Sequence, residues 1–91
     1  MTKQITVSKQ FKKDTKRSEK RGKDLAKIKT VIGMLAEGLV LPASYKDHAL
    51  KGKLIPAREC HIEPDWLLVY EVTNDTLVLV MHGTHSDLFN E

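Results

Sequence analysis

The chain has one cysteine, three prolines, five glycines and five aromatic side chains among its 91 residues. A lone Cys excludes an internal disulfide framework. No apolar run approaches the ~18 residues of a membrane-spanning helix, and no charged-then-apolar leader is evident. The expected compartment is therefore the cytosol, with no membrane partner. No internal repeat, linker or low-complexity tract interrupts the chain. Hydrophobic residues at 41% and charged residues at 30% exclude a fully disordered polymer. A chain of this length has material for one modest core, so residues 1–91 are read as a single domain.

Local signals divide the chain into elements. Gln4-Ile5-Thr6-Val7 alternates polar with β-branched residues and predicts a strand. Ser8 is placed to cap a helix running to about Arg21, before Gly22. Phe11 is its only large apolar residue, which predicts a surface helix with most of its circumference wet. Asp24 caps a second helix to about Glu37, with Leu25, Ile28, Val31, Ile32 and Leu35 at the spacing of one buried face. Residues 39–53 hold Pro42 and Gly52 without a sustained period and predict a long ordered loop. Three strands follow at 57–62, 66–70 and 77–81, the last two apolar enough to be covered on both faces. Turns at Glu63-Pro64-Asp65 and Thr73-Asn74-Asp75 separate them, and residues 84–91 read as a tail. The expected fold class is α+β, ordered β-α-α-β-β-β, with two helices on one face of an antiparallel sheet.

Charge is unevenly shared. Residues 1–29 carry eleven basic and three acidic side chains, a net +8. Residues 30–91 carry four basic and nine acidic, a net −5. The basic third, with Lys9, Lys12, Lys13, Lys16, Arg17, Lys20 and Arg21, reads either as a polyanion contact or as a solvated helix face.

All four histidines, His48, His61, His82 and His85, lie in the acidic part. No Cys-x-x-Cys pair or helical His-x-x-x-His places them as metal ligands, so no metal or other cofactor is expected. Strand alternation puts Cys60 and Ile62 toward the core and Glu59, His61 and Glu63 on the opposite face as an exposed titratable row. His61 is therefore not the base of a nucleophilic Cys60, which reads as a buried inert thiol. Trp66 is read as core or as a stacking platform for a base, and Phe89 as a base-stacking side chain or a plug.

Three blocks in order, Lys46-Asp47-His48-Ala49-Leu50-Lys51-Gly52, the run from Arg58 through Cys60-His61 to Pro64-Asp65-Trp66 and Tyr70, and Gly83-Thr84-His85-Ser86-Asp87-Leu88-Phe89, carry a resemblance. With Phe11-Lys12-Lys13-Asp14 and Lys20-Arg21-Gly22, they resemble the YafQ family of the RelE toxin superfamily over nearly the whole chain. The resemblance implies a RelE-like, microbial-RNase-type fold on a mainly antiparallel sheet. It also implies the toxin of a type II toxin–antitoxin pair, a ribosome-dependent mRNA endoribonuclease that inhibits translation without a metal. Its implied partners are a DinJ- or RelB-like antitoxin, the 70S ribosome and mRNA, with operator DNA reached only through the antitoxin complex. Carried over by position, His48, His61, Asp65 and His85 are the expected catalytic residues, with His85 as general acid. Arg58, Glu59, Trp66 and Phe89 are expected at the substrate, and the basic residues of the first helix at ribosomal RNA.

Two positions depart from the family pattern. Met81 stands where relatives usually carry Arg, and Leu54 where they often carry Trp. A Met offers no positive charge to a pentacoordinate phosphorane, and losing one such contact costs ~10²–10³ in rate. The alternative expectation is thus an attenuated homologue that acts mainly as an antitoxin-binding or operator-repression subunit.

Overall fold

A computed structural model describes residues 2–51 and 56–89, so Leu54 lies outside the described residues. Strand β1 (Gln4–Val7) leads into helix α1 (Lys9–Lys20), where the Ser8 hydroxyl accepts from Phe11 N at 2.9 Å. Helix α2 (Leu25–Ala36) begins with the Asp24 carboxylate accepting from Ala26 N at 3.0 Å. A 3₁₀ turn (Ala43–Tyr45), a two-residue strand β2 (His48–Ala49), and strands β3 (Arg58–Glu63), β4 (Trp66–Val72) and β5 (Thr76–Gly83) follow. Helix α3 (His85–Phe89) comes last. The expected α+β class holds, with both N-terminal helix caps where the side chains predict them.

The five strands form one sheet in the order β1-β5-β4-β3-β2. Only β1 and β5 run parallel; the other pairs are antiparallel. Ile28, Val31, Leu35 and Ala36 of α2, with Phe11 of α1, pack on Cys60, Trp66, Leu68, Tyr70, Leu77 and Leu79. The opposite face of the sheet is where the chemistry collects. Among the described residues no helix is long and apolar enough to cross a membrane.

The expected loop 39–53 contains β2, which adds itself to the sheet edge with His48 opposite Glu59. The tail contains α3 instead of being irregular. Strand β4 is buried on both faces as predicted, whereas β5 buries Leu77 and Leu79 and leaves Val78, Val80 and Met81 half-exposed. Two β-bulges break simple alternation. Val69 pairs Met81 but Tyr70 pairs Leu79, so Val80 is the extra residue; likewise Ile62 is skipped between His61 and Glu63. A bulge moves every later side chain to the other face. Val80 therefore sends His82 to the helix side with Leu77 and Leu79. Ile62 takes Glu63 out of the row of Glu59 and His61.

Candidate active site

Side chains directly opposite on paired strands share a face. The registers place His48, Glu59, Val69 and Met81 in one row across β2, β3, β4 and β5. His61, Leu67 and Gly83 form the next row. This face points away from α1 and α2. At its end, the turn residue Asp65 meets His85, the first residue of α3.

The contact is a two-point grip. Asp65 Oδ1 accepts from the His85 backbone N–H at 2.9 Å and from Nδ1 at 2.7 Å. A carboxylate only accepts, so Nδ1 carries hydrogen and Nε2 is the nitrogen left to exchange a proton. These bonds hold the Asp65 carboxyl below its ordinary value, with the backbone donor the larger cause. The His61 ring lies 5.9 Å from that of His85, and the His48 ring 6.5 Å from that of His61. Three imidazoles thus line one groove.

Glu59 was expected in an exposed row. It is instead 6% exposed, in the floor of the groove. Its Oε1 lies 3.5 Å from His48 Nε2 and 3.6 Å from His61 Nε2, beyond a good hydrogen bond but within ion-pair range. His48 donates from Nδ1 to the carbonyl of Lys46 at 2.7 Å, which aims Nε2 at Glu59. Lys46 adopts the left-handed conformation at φ 51°, turning its carbonyl back on His48. Next to it, Asp47 reaches through to the helix side, where it accepts from Tyr70 Oη at 2.6 Å and pairs with Arg58 Nε at 3.4 Å.

Several expected residues lie elsewhere. Arg58 pairs Tyr70 and shares the helix side with Cys60, so it holds Asp47 and does not face the histidine groove. Trp66 is 1% exposed, its ring covered by the core and its Nε1 donating to His82 Nδ1 at 3.1 Å, so of its two readings it takes the core one. Glu63 is gripped by Lys23 at 3.0 Å and Lys27 at 2.8 Å from the α2 side. Phe89 ends α3 half-buried, one turn beyond His85 and on the same side of that helix. Cys60 is fully buried and its thiol is pushed up to about 12, chiefly by burial, the inert state expected of it.

Sequence reasoning missed the polar dock of α1. That helix buries Phe11, Asp14 and Ser18, so its sheet-facing side is mostly hydrophilic. Asp14, 1% exposed, accepts from Gln10 at 2.8 Å and from the His82 backbone N–H at 3.1 Å, and pairs with Arg17 at 3.0 Å. Arg17 donates to the His82 carbonyl at 2.9 Å. Since the Trp66 indole only donates, His82 Nδ1 is an acceptor, and its Nε2–H donates to Thr15 Oγ1 at 3.0 Å. Arg21 chelates Asp87 of α3 at 2.6 and 3.1 Å. Arg17 and Arg21, expected with the lysines at ribosomal RNA, are therefore engaged within the protein. One signal was available: Thr84-His85-Ser86-Asp87 is a capping-box spacing.

Comparison with known proteins agrees with this fold. A family model described as the bacterial toxin of a type II toxin–antitoxin system, YafQ, matches residues 3–90. The chain is 44% identical over 86 residues to the mRNA interferase toxin YafQ of Escherichia coli K12, spanning 93% of this chain and 94% of that protein. It matches a chain of the E. coli DinJ–YafQ toxin–antitoxin complex with a TM-score of 0.91 at 42% identity, covering 98% of this chain and 99% of that one. A metal-bound toxin from Helicobacter pylori gives 0.89 at 48% identity, covering 98% and 100%. The family model and the structural match together define the class, a bacterial toxin of the type II toxin–antitoxin kind. Within that class the chain belongs to the YafQ family.

Proposed function

We propose that this chain, acting as one domain over residues 1–91, cleaves mRNA on the 70S ribosome by general acid–base chemistry and so inhibits translation. The convergence of His48, His61 and His85 on one open face carries the reading, with Asp65 and Glu59 orienting them. A base takes the ribose 2′-OH proton and the 2′ oxygen attacks the adjacent phosphorus. The bond from phosphorus to the 5′ oxygen breaks, and an acid protonates that oxygen. The products are a 2′,3′-cyclic phosphate and a 5′-OH. His85, as imidazolium, supplies the proton from Nε2 while Asp65 holds Nδ1. His48 or His61, each beside the Glu59 carboxylate, takes the 2′ proton. Phe89, a turn from His85, offers a ring to a base.

Lys9, Lys12, Lys13, Lys16 and Lys20 are exposed on α1 and suit phosphate contacts to ribosomal RNA, which position without reading sequence. A DinJ- or RelB-like antitoxin, disordered in part until bound, is the inhibitory partner, and operator DNA is reached only through that complex. The reading places the protein in the cytoplasm.

The test is cleavage of a defined mRNA on programmed ribosomes. Wild-type protein should leave new 5′-OH ends that His85→Gln, folded to the same extent, does not. An absence of cuts by folded wild type overturns the reading. A specific observation favours a second reading, attenuation: Met81 stands in the groove row, opposite Val69, with no charge to offer.

A further inference from the structure

Helix α3 carries His85 yet is only five residues long and buries none of them. An isolated helix of that length does not hold its shape. Its fixed points are polar. Thr84 Oγ1 accepts from Asp87 N at 3.0 Å, and Asp87 Oδ2 accepts from Thr84 N at 3.0 Å, a reciprocal cap at the helix start. The same carboxylate is chelated by Arg21 at 2.6 and 3.1 Å and approached by Arg17 at 3.5 Å. Arg17 in the last turn of α1 and Arg21 at its C-cap are one turn apart, and Arg17 is anchored on buried Asp14. A two-point guanidinium–carboxylate contact fixes the carboxylate plane as well as its distance. The end of β5 leaves room for this: a Cβ at Gly83 would lie 2.5 Å from Arg17 Nη2 and 2.9 Å from Asp87 Cβ. Asp87 is held well below the ordinary carboxylate range, the Arg21 contact being the largest cause.

From these contacts we infer that Asp87, clasped by Arg21 and Arg17, is the positioning residue that sets His85 in the groove. The inference rests on the reading of His85 as the acid. The clasp fixes the start of α3, and the start of α3 delivers the His85 backbone N–H and ring to Asp65. Arg21 thus acts through Asp87, by holding the helix that carries His85.

Asp87→Asn keeps an oxygen for the Thr84 cap and removes the charge the arginines grip. Arg21→Ala removes the chelate from the other side. On programmed ribosomes each should lower kcat by up to about 10²-fold, the scale of a small misplacement, with KM unchanged. The double variant should lose no more than the worse single one, because both break one contact. Hydrogen exchange of the α3 amides and the NMR signals of the His85 ring should report loosening in both variants, while circular dichroism matches wild type. Arg21→Lys, which keeps the charge without the chelate, should fall between. A raised KM, a reduced salt dependence and an unchanged kcat for Arg21→Ala would overturn the inference and make Arg21 an RNA contact. Unchanged α3 exchange and His85 signals in Asp87→Asn also overturn it, and that readout needs no activity. Lack of cleavage by wild type, with the clasp intact by NMR, counts against the proposed function alone.

Discussion

Acidification should destabilise this protein through His82. The ring is 0% exposed, and its pKa is lowered from 6.5 to about 4, mainly by burial. Asp14 opposes that shift and Arg17 adds to it. Between the two values the unfolded chain binds a proton that the native ring refuses, so stability rises with pH across this window and falls as pH drops through it. At about 1.4 kcal/mol per pKa unit the full window is worth about 3 kcal/mol, of which about 2 kcal/mol is lost between pH 7 and pH 4.5. The groups with lowered values, Glu63, Asp65 and Asp87, release their contributions mostly below that range. The assay is urea unfolding at both pH values, wild type beside His82→Gln. Gln can accept from Trp66 and donate to Thr15 but does not titrate. The variant should be less stable at pH 7, having lost the ring packed 4.7 Å from Phe11, yet show a pH dependence shallower by about 2 kcal/mol. At ordinary urea slopes that is a difference of about 1 M or more in midpoint shift. Parallel pH dependences in the two proteins would refute the reasoning, because the burial penalty on the charged ring would then be absent.

Two further outcomes follow, one from each face of the sheet. Met81→Arg adds a cation beside Val69 on the face that carries the histidines; cleavage on programmed ribosomes should rise by up to ~10²-fold, and an unchanged rate counts against attenuation. Tyr70→Phe removes the hydroxyl donated to Asp47 at 2.6 Å, a bond to a charged group worth about 1.5–3 kcal/mol. At the usual sensitivity of a chain this size its Tm should drop by about 10 °C, and a Tm within 2 °C of wild type rejects that role for the hydroxyl.

Much of the fold is written in short-range signals. Ser8 and Asp24 cap α1 and α2 as their side-chain chemistry dictates, and the face of α2 can be read from its period. Both depend on residues within four positions of one another. The strand β2 could not be read, because two residues form a strand only when Glu59 and Arg58 offer an edge. The bulges at Ile62 and Val80 were hidden for the same reason: an extra residue exists only relative to a partner strand. Alternation alone therefore kept Glu63 in the row with Glu59 and His61, and the Ile62 bulge took it out.

The polar side of α1 shows the limit most sharply. Asp14 and Arg17 in sequence look like a solvated pair one turn apart, and Arg21 looks like one more cation in a basic run. Their partners sit 65 to 68 residues away in His82 and Asp87.

By itself the sequence determined the order of β1, α1, α2 and β3 to β5, the two helix caps, the family resemblance and the choice of His48, His61, Asp65 and His85 as candidates. Those depend on local chemistry and on side-chain types at given positions. Only the tertiary structure decided which charges are free. It buried Glu59 beneath two imidazoles, turned Arg58 to the helix side, and engaged Arg17 and Arg21 while leaving the lysines of α1 exposed. The physical reason is that a charge is spent or available according to what long-range packing brings within about 4 Å of it, a distance set by strand register and helix docking.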